Sequence, residues 1–235
     1  MQQYVKPLYR EPSKEEMSLL APSSEDTENF ADFLRQKNTG LIKLIADKGC
    51  DKNTVVAASA HCSTYTMPGA GSAFSFRTNN YRMEHLADLN FTGKSFQALG
   101  SLIHGIMVNL GDVPLEKVDL QTEGISYLTN IRPASDIGKA QELADQLTKG
   151  IDNNGFVYRS ILPVKENATY VLRSVAYDGV LPRTIRDISY NEFEFDKRRD
   201  VIIAFRVVRL DANESVTILW KELANKKASK LSMGK

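Results

Sequence analysis

The sequence predicts an α+β fold: an antiparallel, mostly C-terminal sheet packed against two main helices, at 24–38 and 135–149. Three observations lead there. Two stretches carry apolar residues at helical spacing between capping residues, and from about residue 155 the pattern changes to period two. The composition, 42% hydrophobic and 25% charged over 235 residues, is that of a chain able to bury a core.

The first 23 residues contain no apolar core of the kind a signal peptide needs, and they read as an extended or disordered arm. The helix at 24–38 starts at Ser24, with Glu25, Asp26 and Glu28 near the positive end of the dipole. Phe30, Phe33 and Leu34 give it one apolar face, and Asn38-Thr39-Gly40 ends it. LIKLIA at 41–46 is a short strand or a helix extension. The stretch 54–91 is β-rich, with SAFSFR separated from YRMEHL by Thr78-Asn79-Asn80, whose paired Asn residues tolerate a tight turn.

SFQALGSLIHGIMVNLG at 95–111 fits two descriptions. Leu99, Leu102, Ile103, Ile106, Met107 and Leu110 match a helix face, and Gly111 with Pro114 makes a helix stop. Gly100 and Gly105 would each cost a helix about 1 kcal/mol, and LIHGIMVNL reads equally as a buried strand. The spacing leans to helix. The second main helix, 135–149, is capped by Ser135 and closed by Lys149 and Gly150, with Ile137, Ala140, Leu143, Ala144 and Leu147 on its face.

Beyond it, FVYRSIL (156–162) and TYVLRSVAY (169–177) flank one turn, and DVIIAFRVVRL (200–210) and SVTILW (215–220) flank another, so two hairpins are expected. VIIAF is apolar on both parities, as in a central strand, which places Phe205 in the core opposite Trp220 or Leu219. A single domain over 24–222 is expected, with a split near 150–155 as the alternative. The last 15 residues carry five Lys and one Glu, and 223–235 reads as a solvated basic tail.

Lys plus Arg total 30 and Asp plus Glu 29, a balance that argues against a nucleic-acid partner. No apolar run is long enough for a membrane span. Cys50 and Cys62 are disulfide candidates, and their bridge would be worth about 3 kcal/mol in an oxidising compartment. Export with a removed signal and a cytoplasmic home both remain open.

The motifs that resemble chemistry are incomplete. Thr92-Gly93-Lys94-Ser95 contains the end of a phosphate loop, but Asp88 stands where the first Gly is required. Pro68-Gly69-Ala70-Gly71-Ser72 leads into a strand rather than a helix, so it reads as a turn and not a dinucleotide loop. The histidines are His61, His85 and His104, without metal-ligand spacing, and His104 reads as a satisfied core residue. No cofactor is implied.

Arg173 and Arg206 lie mid-strand among apolar neighbours and require carboxylates or an anionic ligand. Glu192, Glu194 and Asp196 are the expected partners, and an anion-binding site is the alternative. The functional expectation is a non-catalytic domain that binds a partner or ligand through a sheet face or loops. The alternative is a hydrolase or other enzyme with a site around His61, Cys62, Glu84, His85 and Asp88, where a helix would bring Glu84 and Asp88 onto one face.

Overall fold

A computed structural model describes residues 14–46, 71–185, 187–212 and 214–232. The two-helix expectation is overturned: the molecule is mostly β, 44% strand against 22% helical, built on a curled antiparallel half-barrel. Among the described residues only one helix exceeds six residues.

The expected helix at 24–38 is two short ones, α2 (Ser24–Asn29) and α3 (Ala31–Leu34), preceded by α1 (Lys14–Leu19). Phe30 breaks it, with φ −106° and ψ 13°, serving as the C-cap of α2 and the N-cap of α3. Ser23, one residue earlier than expected, caps α2 by accepting from Asp26 N at 3.0 Å. The other expected helix, now numbered after α4 (Ser126–Asn130), is α5 (Ile137–Lys149). Its cap is Asp136, whose Oδ1 accepts from Lys139 N at 2.9 Å, rather than Ser135.

LIKLI forms a strand, β1 (Thr39–Ile45). Next come β2 (Ala73–Ser75) and β3 (Asn80–Tyr81), joined by a tight turn in which Asn79 has φ 50°, as the paired Asn residues predict. The sheet continues through β4 (Leu89–Phe91) and β5 (Ser95–Gln97). The stretch 95–111 is not a helix. It continues from β5 into β6 (Leu99–Gly100), turns at Leu102 (φ 50°), and returns as β7 (Ile103–Gly111). Gly105 shows why: a Cβ there would fall 2.1 Å from Ala98 Cβ and 2.3 Å from Ala98 O. The glycine permits close approach between neighbouring strands.

The C-terminal half supplies β8 (Ile151–Asn153), β9 (Phe156–Tyr158), β10 (Ile161–Pro163), β11 (Thr169–Ala176), β12 (Pro182–Ile185), β13 (Ile188–Asn191), β14 (Arg199–Asp211) and β15 (Ser215–Lys227). The expected pairing of 156–162 with 169–177 does not form. β10 pairs with β5, and β11 lies between β7 and β14. The β14–β15 hairpin does form, from Asp211↔Ser215 to Arg199↔Lys227. The large sheet has the order β1-β15-β14-β11-β7-β6, and the small one β10-β5-β4-β2-β3.

The large sheet is the middle of three layers, which is why its strands are apolar on both parities. Phe205, Ile203, Tyr170, Trp220 and Ile218 face the small sheet and pack with Phe74, Phe91 and Phe96. Ile202, Ala204, Val171 and Leu219 face the helices and pack with Phe33, Leu128 and Leu147. Trp220 pairs directly with Phe205, which selects it over Leu219 as the cross-strand partner. β10 and β9 also join the sheets: Arg159 exchanges backbone bonds with Met107 of the large sheet, and Ser160 O accepts from Ala98 N beside the small one.

Candidate functional site

The sequence-flagged residues divide into three places. Arg173, 4% exposed, points to the helix side of β11. Its Nε and Nη2 donate to Asp200 Oδ1 and Oδ2 at 2.9 and 2.6 Å. Its Nη1 donates to the carbonyls of Leu128 and Ile131 at the end of α4, at 2.6 and 2.7 Å. A helix C-terminus leaves carbonyls without intrahelical partners, and a cation there satisfies both hydrogen bonds and dipole. The carboxylate is Asp200, not Glu192, Glu194 or Asp196. Antiparallel register sets the choice, because Val175 pairs with Asp200 and places that carboxylate diagonally beside Arg173. Arg206 donates to Asp112 Oδ1 at 2.6 Å, to Val113 O at 3.0 Å and to Thr169 Oγ1 at 3.2 Å. The two guanidinium groups do not converge: one braces α4 and the other the loop after β7.

The second place surrounds Asp88. Residues Glu84–Leu86 form one 3-10 turn, not a longer helix, so Glu84 and Asp88 do not share a helix face. Asp88 points inward, its side chain fully covered, and accepts from Arg77 Nε at 2.7 Å and Ser75 Oγ at 3.0 Å, with Ser174 Oγ also in contact. Arg77 Nη1 reaches Asp196 at 2.7 Å, and Arg198 Nη1 reaches the same Asp196 oxygen at 2.9 Å. Arg198 also lies 3.8 Å above the Phe193 ring. Two cations and two anions cancel, and backbone carbonyls take further donors: Leu86 O from Arg77, and Tyr177, Ser101 and Leu102 O from Arg198. This network ties the small sheet to β11 and to the chain entering β14. Such a paired interior is costly to break at one member.

The third place is at the surface. His85 lies 3.0 Å from Glu192 Oε1, with 31% of the His85 side chain exposed. Glu192 is buried and also accepts from Arg183 Nε at 2.8 Å. Burial pushes the Glu192 carboxyl upward, but hydrogen bonds and charge from His85 and Arg183 outweigh it and hold the group below its ordinary range. Glu84 instead accepts from Asn90 Nδ2 at 2.9 Å. Glu84, His85 and Asp88 thus point to three different environments. Cys50, His61 and Cys62 lie outside the described residues, as does the proposed disulfide. Gly93 (φ 87°) turns β4 into β5, with Thr92 Oγ1 accepting from Ser95 N at 3.1 Å, so the GKS sequence is a hairpin turn. Gly71 (φ 86°) precedes β2, a strand, as the reading of that glycine-rich loop expects.

One arrangement was not visible in the sequence. Strand register places Ala73, Asn90, Gln97 and Ile161 in one row across β2, β4, β5 and β10. This is the face of the small sheet turned away from the aromatic core, since Phe74, Phe91 and Phe96 alternate with it. Exposure rises along the row from 0% at Ala73 and 7% at Asn90 to 40% at Ile161, and Leu99, two residues beyond Gln97 at the start of β6, is 50% exposed. The face is therefore covered at one end and open and apolar at the other. Asn90 Oδ1 is buried there without a hydrogen-bond partner among the described residues. The alternation in FQALG marks Gln97 and Leu99 as one parity, but the strand order that sets Ile161 beside Gln97 is a tertiary fact.

No family model, curated protein or solved structure matches the chain.

Proposed function

We propose that the chain is a non-catalytic binding domain whose partner docks on the open end of the small sheet's outer face. The observation that carries this reading is two large exposed apolar side chains at this end of the row, Ile161 on β10 and Leu99 two residues beyond its partner Gln97. Contiguous exposed apolar surface rimmed by polar groups is the usual mark of a docking site. Gln97 supplies such a polar group. The sign of the alternation also fits: inward residues of these strands build the core, so outward ones are available without cost to the fold.

The double substitution Leu99→Lys with Ile161→Lys tests it. Both side chains are exposed, so stability should change by less than about 1 kcal/mol. A partner retained by the wild-type chain from its native lysate should be lost by the double variant. Equal retention by both would overturn the reading.

A second reading, a hydrolase, rests on His85, which is accessible and flanked by a buried carboxylate, the arrangement of a base and its orienting group. It requires that His85→Ala abolish hydrolysis of model esters or phosphoesters by the intact chain. Absence of any turnover in the wild type on such a panel would remove it.

A further inference from the structure

Beyond the end of β15 at Lys227, residues 228–232 stay against the molecule. Ser229 O accepts from Asp178 N at 2.8 Å, and Ser232 N donates to Ser135 O at 2.9 Å. Leu231 packs between these bonds against Ala134, Val175 and Tyr177, with Leu102 and Ala140 alongside. Residues 228–232 are thus a strap laid across the entrance to α5 and the exit of β11.

Under the strap lies one polar relay. Tyr177, 1% exposed, accepts from Ala134 N through its phenol oxygen at 2.8 Å. The same oxygen is 3.0 Å from His104 Nδ1, and the rings meet edge to face at 5.2 Å. With an amide N–H already donated to the phenol oxygen, the phenol's own proton has the imidazole as its acceptor. That requires Nδ1 to be unprotonated and the ring proton to sit on Nε2. The Ala140 backbone is the hydrogen-bonding group on the other side of the ring.

We propose that this relay is a proton-operated latch: protonation of His104 breaks its bond to Tyr177 and releases the strap 228–232 from the start of α5. A proton on Nδ1 would face the phenol proton, donor against donor, beside the apolar cluster of Ala134, Val175 and Leu231. The phenol must then turn, loosening Ala134 and with it Ser135, to which the strap is bonded.

The surroundings favour the neutral ring. β11 contributes Val175 opposite His104, and β6 contributes Leu99. The ionic groups behind Tyr177, Arg173 and Asp200, are paired with each other. At the start of α5, Asp136 and Lys139 are 3.6 Å apart as their own pair. Asp178 and Lys230 border the strap through a backbone bridge. None of these makes an ion pair with the imidazole among the described residues. Burial accordingly holds His104 below its ordinary value, with the Ala140 carbonyl opposing it in part. The sign follows: the strap's contribution is complete above the ordinary histidine range, near 6.5, and is lost as pH falls through the lower folded value.

The test is amide hydrogen exchange of the intact chain, read by NMR at Ala134, Asp178 and Ser232 and corrected for the intrinsic pH effect. From about pH 7.5 to 5, exchange at Ala134 and Ser232 should accelerate about tenfold or more while the amide of Phe205 in β14 stays protected. In His104→Asn, whose amide oxygen still accepts from Tyr177 but does not titrate, the acceleration should vanish. In the wild type the imidazole's own NMR titration should share its midpoint with strap release, which needs no variant. Three results would overturn the latch: a strap that stays protected while His104 titrates, release that persists in His104→Asn, or opening that coincides with exchange of the whole core.

Discussion

Phe205 has no exposed surface and meets three rings. It stacks on Tyr170 at 5.3 Å, meets Phe96 edge on at 5.1 Å, lies over Phe76 at 6.3 Å and pairs across the sheet with Trp220. Truncating it leaves a void that rings fixed by two sheets cannot fill. Phe205→Ala should cost about 3–5 kcal/mol in urea denaturation. Arg173 gives a different outcome. Arg173→Met should cost about 3–5 kcal/mol, because Asp200 is left buried and unpaired, whereas Arg173→Met with Asp200→Leu should recover part of the loss. A double-mutant cycle without coupling would contradict the pairing. Arg173 was identifiable in the sequence as a charge that must be satisfied. Its partner was not, because the sequence does not show that Glu192–Phe195 forms a 3-10 turn while Asp200 lies on β14 beside β11.

The elements show where periodicity informs and where it misleads. The β14–β15 hairpin was legible because both strands are long, β-branched and separated by a polar turn. The run 95–111 was not, because short strands linked by a turn can place apolar residues at intervals of three and four by coincidence. The two glycines in it were the better evidence. Gly105→Ala should cost about 1–3 kcal/mol, since the added Cβ meets the Ala98 backbone, which cannot move without parting β6 from β7. Gly138→Ala, inside α5 with only the Asp136 side chain at 3.4 Å, should instead stabilise by up to about 1 kcal/mol. Thermal melts of the two variants should therefore move in opposite directions.

At the scale of the molecule, the three-layer arrangement explains why two amphipathic helices seemed sufficient for the fold and were not. The helices cover one face of the large sheet, but residues such as Phe74, Phe91 and Phe96 were needed to cover the other. They come from strands of three residues, too short for alternation to stand out. The candidate docking row belongs to this second layer, which is why it was equally hidden. Acid should weaken the whole assembly in a defined direction. Glu192 is held below its ordinary value of 4.5, so the folded state binds fewer protons than the unfolded chain as pH falls toward that value. The stabilisation is complete above that range and is lost as pH drops through the folded value. Glu192→Gln should therefore flatten the fall in melting temperature between about pH 5 and 3. An unchanged slope would show that Glu192 takes no part in it.

The pairing of β1 with β15, from Thr39↔Lys221 to Ile45↔Ser215, has a consequence for the order in which the chain can acquire structure. The first strand of the large sheet has no neighbour in that sheet until the last is made. On a ribosome adding roughly 5–20 residues each second, β1 waits many seconds with its apolar residues uncovered. Leu44, which becomes completely buried, is among them. Closing so long a loop adds little to the final free energy, because the entropic penalty grows only logarithmically, but it slows the search. The nascent chain therefore passes through a stage with one β-edge formed by β14 alone. A stalled chain ending before Ser215 should remain protease-sensitive throughout β1 and bind chaperones, whereas one extended beyond Lys227 should not.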